Sequence, residues 1–169
     1  MKKSLSKEIA KIALSVALLC VSAWIAVPIG SIPVTLQTLC VLFVAGYLGA
    51  ARGALAVGAY LLLGATGVPV FSSFTGGVAC FLSPTGGFLL GLLPAALLMG
   101  LFAGKKSFWK FVVGGALATL SLYACGTLGF ILHTSFSVGI WSALATCVLP
   151  FLPFDAVKIV VTAGILKRL

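Results

Sequence analysis

Long apolar runs, joined by connections that alternate in charge, limit what this chain can become more than any other feature. Apart from Lys158, its lysines and arginines fall into four small groups: residues 1–11, Arg52, residues 105–110, and Lys167 with Arg168. The connections at residues 28–34, 67–84 and 133–137 contain neither residue type. A helix needs ~20 apolar residues to cross a bilayer, within a range of ~17–25. Cytoplasmic connections collect lysine and arginine. The strict alternation therefore predicts six transmembrane helices with both termini in the cytoplasm, built as one integral-membrane domain over residues 1–169.

Composition supports this. Hydrophobic residues make up 62% of the chain and charged ones 8%, whereas a soluble domain carries roughly 25% charged residues. In a soluble protein a net charge of +9 would suggest nucleic acid. Here the basic groups sit between apolar runs, so they orient the chain in a lipid bilayer and no nucleic-acid partner is expected. Residues 1–11 are basic and residues 9–27 apolar, like a secretory signal. The apolar run exceeds the ~7–15 residues of a signal core, so it reads as a retained first helix. The expected location is the cytoplasmic (inner) membrane, as a multi-pass protein.

The first span is expected over residues 9–27, ended by Pro28 and Pro33, since proline and its preceding residue resist helix. The second runs from about residue 35 to 48, and a turn at 49–53 carries Arg52. The third covers 54–66. Residues 67–84 are uncharged and rich in Gly, Ser, Thr and Phe. Their backbone needs polar partners, so they face water or line a cavity. The fourth span is 85–103, kinked at Pro94, and the fifth 111–132. Residues 138–169 fit one long helix broken at Pro150 and Pro153 or, as the preferred reading, a short apolar segment at 138–148 followed by a sixth span from about residue 154.

The cysteines Cys20, Cys40, Cys80, Cys125 and Cys147 match no metal or redox spacing, and read as small hydrophobes. His133 lies near a helix end without a cysteine or carboxylate partner. No metal site and no cofactor are expected.

The charged centre is the segment LPFLPFDAVK at 149–158. Asp155 is the only acid beyond the N-terminal segment, and Lys158 follows three residues later, on the same helix face. Ionisable groups within a membrane are costly and mark functional sites. Asp155 could also act as a cap after Pro153, with Lys158 pairing locally. Asp155 lies twelve residues before Lys167, or ~18 Å at 1.5 Å per residue. That puts it in the outer half of the membrane, level with the uncharged loops, and implies a pocket open to the outer face.

Other polar cues gather at the same end. Gln37, with Thr35 and Thr38, follows the first outer connection and offers both donors and acceptors. An interhelical hydrogen bond, common in membranes, is the simpler account of Gln37 taken alone. Gly76-Gly77 and Gly86-Gly87 frame the second outer connection, either for close backbone approach to a ligand or for turn geometry. Phe71, Phe74 and Phe88 could form apolar walls. On the first helix Ala13 and Ala17, with Ala10, make a small-residue face for another helix. Catalytic motifs are missing: there is no second intramembrane carboxylate, no HExxH and no serine–histidine pair. No Walker motif occurs, so any ATP use belongs to another subunit.

Taken together, PVTLQT at 33–38, GYLGAARGALAV at 46–57, LLLGATGVPVF at 61–71, GG at 76–77, PTGGFLLG at 84–91 and LPFLPFDAVK at 149–158 resemble the BioY family. These are the biotin-specific substrate-binding S components of energy-coupling factor (ECF) transporters. The resemblance implies an all-α, six-helix membrane protein that binds biotin near its outer face and is not an enzyme. It implies a transmembrane coupling subunit and two ATPase subunits as partners. Ala13 and Ala17 match the docking pattern of the family's first helix, and Asp155 and Lys158 its acid and base. Thr75, Gln37, Phe88, Phe71, Gly76 and Gly77 complete the expected substrate-binding set. Three positions depart from the family pattern: Phe154 replaces glycine before the acid, Phe88 replaces a tyrosine, and Thr75 stands in a run that is often glycine-rich, sometimes with asparagine. Biotin's ureido ring, apolar thioether ring and carboxylate tail suit a carboxylate acceptor in an apolar cleft. The alternatives are an S component or solitary carrier for another vitamin, a structural membrane subunit, and an intramembrane enzyme using Asp155 and Lys158.

Overall fold

The computed structural model describes residues 2–29, 32–104 and 107–169. Gly30 and Ser31 of the first uncharged connection, and Lys105 and Lys106 of the basic one, lie outside the described residues.

Each apolar segment contains a helix. In chain order they are α1 (Lys2–Trp24), α2 (Gln37–Leu48), α3 (Ala50–Ala65), α4 (Gly86–Gly100), α5 (Phe108–His133), α6 (Ile140–Cys147) and α7 (Leu152–Arg168). Several boundaries differ from the sequence reading. Arg52 lies inside α3 rather than in a turn, because Gly49 with φ +87° reverses the chain on its own. Pro153 sits in the first turn of α7, where a missing N–H breaks no helical bond.

The expectation of helix alone needs correction between α1 and α2. The first helix stops at Trp24, and strands β1 (Ala26–Ile29) and β2 (Ile32–Thr35) form an antiparallel hairpin. Val27 pairs with Val34 and Pro28 with Pro33. The prolines that end the helix also fit the ladder, since opposed residues in the non-hydrogen-bonded position need no N–H. Ile32 and Val34 bury one face of β2 against α5 and α6.

Among the described residues, α5 is long and apolar enough to cross a membrane alone, and α6 with α7, bent by 48°, makes a second span if taken as one unit. Helices α2, α3 and α4 have 12, 16 and 15 residues, short of the ~20 of a full crossing. Hydrophobic residues also cover the exterior: Leu14, Leu55, Leu62, Trp109 and Trp141 are all more than half exposed. An apolar surface this extensive suits lipid or a partner rather than water.

The main core joins α1 to α5 and α7 around Leu19, Leu42, Tyr60, Phe71 and Met99. Helices α4 and α5 touch backbone to backbone. A Cβ on Gly87 would meet the Cys125 carbonyl at 2.5 Å and Gly129 Cα at 2.8 Å, so this crossing requires glycine.

The two ends of the bundle differ chemically. At one end Arg52 Nε pairs with Glu8 Oε2 at 2.9 Å, and Lys11 approaches Glu8 Oε1 at 3.6 Å. Leu169 shares a groove with Lys11 there, and Gly49 lies beside Ala103. The hairpin, the connection from Thr66 to Thr85 and α6 assemble at the opposite end. Trp24 Nε1 donates to the Pro69 carbonyl at 3.0 Å, and the His133 ring nitrogen Nδ1 bonds the Leu82 carbonyl at 2.8 Å.

Candidate functional site

A cleft of about 670 Å³, its mouth included, opens at this second end. Ile32, Pro33 and Thr35 of the hairpin line it, with Gln37 and Thr38 at the start of α2. Phe71, Ser72 and Thr75 come from the long connection, and Thr85, Phe88, Leu89 and Leu92 from its end and α4. Leu122 and Tyr123 of α5 and Phe151, Asp155 and Lys158 of α7 complete the wall.

The polar centre is on α7. Lys158 Nζ contacts Asp155 Oδ1 at 2.7 Å, as their three-residue spacing on a helix allows. Both are buried, at 4% exposure for Asp155 and 6% for Lys158. Tyr123 Oη donates to the other carboxylate oxygen, Oδ2, also at 2.7 Å. The Asp155 carboxylate thus serves these two partners, and α7 has no side-chain cap. A buried ion pair pays a desolvation penalty that Coulomb attraction alone often fails to offset. Here a third group satisfies the carboxylate as well. A carboxylate has about four lone-pair sites, so acceptor capacity remains for a ligand N–H.

Gln37 has both features foreseen for it. Its Nε2 donates to Tyr60 Oη at 2.9 Å, bridging α2 and α3, and the residue also lines the cleft. Tyr60 in turn donates to the Val70 carbonyl at 3.1 Å. This relay fixes Gln37 to the base of the long connection. Phe71 is held beside it, edge-on to Tyr60 and Phe81 at centroid separations of 5.5 and 5.6 Å. Phe88 lies tilted against Phe151 at 6.3 Å. Having no hydroxyl, Phe88 leaves Tyr123 as the phenol in the lining. Thr75 is exposed at the mouth, and its hydroxyl donates to the Ser72 carbonyl at 2.9 Å.

Six of the eight substrate-site residues expected from the sequence therefore line one cleft: Asp155, Lys158, Thr75, Gln37, Phe88 and Phe71. Gly76 and Gly77 lie outside the lining. A Cβ on Gly76 would collide with the Val68 carbonyl, and Gly77 takes φ +98° while its N–H bonds the Gly64 carbonyl at 2.7 Å. They shape the connection that carries Phe71 and Thr75. Phe74 also lies outside the lining, exposed and stacked on Trp24 with centroids 5.1 Å apart. Ala13 and Ala17 are exposed on α1 and absent from the cleft lining.

Sequence reasoning missed Tyr123, Phe151 and Thr85. Tyr123 carried a usable signal, because tyrosines favour the membrane interface and this one falls mid-way along an apolar segment. The cleft offers a carboxylate acceptor, ammonium, amide and hydroxyl donors, and aromatic walls. It suits a small molecule with a polar head and an apolar body. Among the described residues no cluster of three or more His, Cys, Asp or Glu assembles, and the five cysteines are free.

The "Biotin transporter BioY" of Thermotoga maritima is 40% identical over 166 residues, covering 96% of this chain and 95% of that protein. The "Probable biotin transporter BioY" of Pyrococcus horikoshii is 37% identical over 164 residues, covering 97% and 96%. A crystal structure described as the S-component for biotin from an ECF-type ABC transporter superposes with a TM-score of 0.89 at 24% identity, over 99% of this chain and 93% of that one. It shares the fold. The sequence model of the BioY family matches residues 1–169, and with relatives of this similarity along nearly its whole length, the chain belongs to the BioY family.

Proposed function

We propose that this protein is the biotin-binding S component of an ECF-type vitamin transporter, and that it takes up biotin without enzymatic turnover. The observation that carries the proposal is the buried Asp155 carboxylate, held by Lys158 and Tyr123 in the wall of an aromatic-lined cleft. Its unused lone pairs accept a ureido N–H, in the charge-assisted class of hydrogen bond. Gln37 and Thr75 supply further polar contacts, and Phe71 and Phe88 enclose the thioether ring. The names of the relatives support biotin as the ligand.

The protein crosses the inner membrane six times with both termini in the cytoplasm. Grouping of Glu8, Lys11 and Arg52 at one end supports this orientation, which leaves the cleft open to the outer face. The shorter helices α2, α3 and α4 complete their crossings through flanking residues or within the bundle. The exposed Ala13 and Ala17 face docks a transmembrane coupling subunit, which carries two ATPase subunits that energise release.

The test is a binding assay on the purified protein with biotin and a panel of other vitamins. Biotin should bind most tightly. Tighter binding of another vitamin would reassign the substrate, and no binding by the folded protein would refute the function.

A further inference from the structure

We infer that Tyr123 is the positioning residue of this cleft: it orients the Asp155 carboxylate and fixes it as an acceptor, and so sets the preference for ligands that present an N–H there. The inference rests on the biotin-binding reading and extends it to a residue on another helix. Tyr123 lies in α5 and Asp155 in α7, 32 residues apart, and their 2.7 Å contact is buried.

The geometry separates the roles of three groups. Lys158 approaches Oδ1 from within the same helix, so local helix geometry maintains that contact. Tyr123 reaches Oδ2 from the facing helix and stops rotation of the carboxylate about its Cβ–Cγ bond. With one donor on each oxygen, the remaining lone pairs keep fixed directions. A carboxylate held between two donors has no proton of its own to offer. It therefore favours a ligand N–H and disfavours an ether or ester oxygen at the same place. Tyr123 can do this without touching the ligand, because its hydroxyl proton is already committed to Oδ2.

Positioning implies coupling. If Tyr123 acts through Asp155, its hydroxyl matters only while the carboxylate is present. Contacting residues are strongly non-additive in this way, and a double-mutant cycle measures it. In the native background Tyr123→Phe removes the hydroxyl and keeps the ring, and biotin affinity should fall about threefold to tenfold, because binding must then order the freed carboxylate. In an Asp155→Asn background the same change should alter affinity by less than about twofold, within the scatter of uncoupled changes. An N-methylated biotin should lose less affinity, relative to biotin, in Tyr123→Phe than in the native protein.

The experiment is biotin binding to the native protein, Tyr123→Phe, Asp155→Asn and the double variant, each first checked for a cooperative thermal transition. Unchanged affinity in Tyr123→Phe would overturn the inference. So would an equal loss in both backgrounds, which would mean that Tyr123 touches the ligand or only packs. Native protein that fails to bind biotin overturns the functional reading itself. Should Tyr123→Phe not fold, a structure of the native protein with biotin decides. Tyr123 Oη must stay bonded to Asp155 and beyond hydrogen-bond reach of biotin, and a direct bond to biotin would overturn the role.

Discussion

Trp24, the last residue of α1, donates its indole N–H to the Pro69 carbonyl at 3.0 Å. The contact joins the helix bearing Ala13 and Ala17 to the connection that supplies Phe71 and Thr75 to the cleft. The same indole stacks on Phe74 at 5.1 Å. Ser73 and Phe74 both take positive φ, at 58° and 56°, which is unfavourable for non-glycine residues and persists only where surroundings hold it. Trp24 is part of that support. Replacing it with alanine removes one hydrogen bond and one aromatic pair, together about 1–3 kcal/mol. Biotin should then dissociate several-fold faster in a stopped-flow displacement assay, while the bundle still melts cooperatively. An unchanged off-rate would show that the connection holds itself.

The proposed topology places Ser73 at the outer face. It is exposed at the cleft end of the bundle, opposite the Glu8–Arg52 pair. A single cysteine there, in a background lacking the five native cysteines, should react with an impermeant thiol reagent added to intact cells. Labelling only after the cytoplasmic side is opened would invert the orientation.

Ala13→Trp and Ala17→Trp should leave biotin binding unchanged and impair uptake in cells. Both residues are exposed on α1 and absent from the cleft lining. A bulky indole on a small-residue face blocks close helix approach. Equal losses of binding and uptake would instead mean that this face packs within the protein.

Asp155→Asn keeps the side-chain shape but removes the charge. A hydrogen bond to a charged group contributes about 1.5–3 kcal/mol, so biotin affinity should fall about tenfold or more by titration calorimetry. Lys158→Met leaves the buried carboxylate without its cation, and breaking such a pair typically destabilises by about 3–5 kcal/mol. Its melting temperature should therefore fall well below that of the native protein. Biotin methyl ester then separates two roles for Lys158. If the ammonium only neutralises Asp155, as the 2.7 Å contact suggests, the acid-to-ester affinity ratio survives the mutation. If it also holds the ligand carboxylate, the ratio collapses towards one.

Much of the fold and part of the cleft were legible in the chain because they depend on local rules. Apolar length and the placement of Lys and Arg marked every helix-bearing segment. Residues 155 and 158 met because three residues along a helix return to the same face. The flanking geometry was harder. Pro28 and Pro33 announced the end of α1 but not the hairpin, since proline excludes helix without choosing what replaces it. Glycine was ambiguous for a similar reason. Gly76 and Gly77 satisfy backbone demands of the connection rather than lining the cleft, and a sequence does not separate those uses.

By itself, then, the sequence determined a mostly helical chain with an apolar exterior, basic residues gathered in small groups between its apolar runs, and an ion pair on its last helix. Only the tertiary structure decided that Tyr123 would complete that pair, that Gln37 would reach Tyr60, and that Trp24 would bind the cleft connection. Each of those contacts depends on the register between two elements. For α5 and α7 the register is set by packing such as Gly115 against Ile159, where a Cβ would come within 3.0 Å of the isoleucine. No periodicity within one helix encodes a register against another, because it emerges only when both surfaces close on each other and exclude the alternatives.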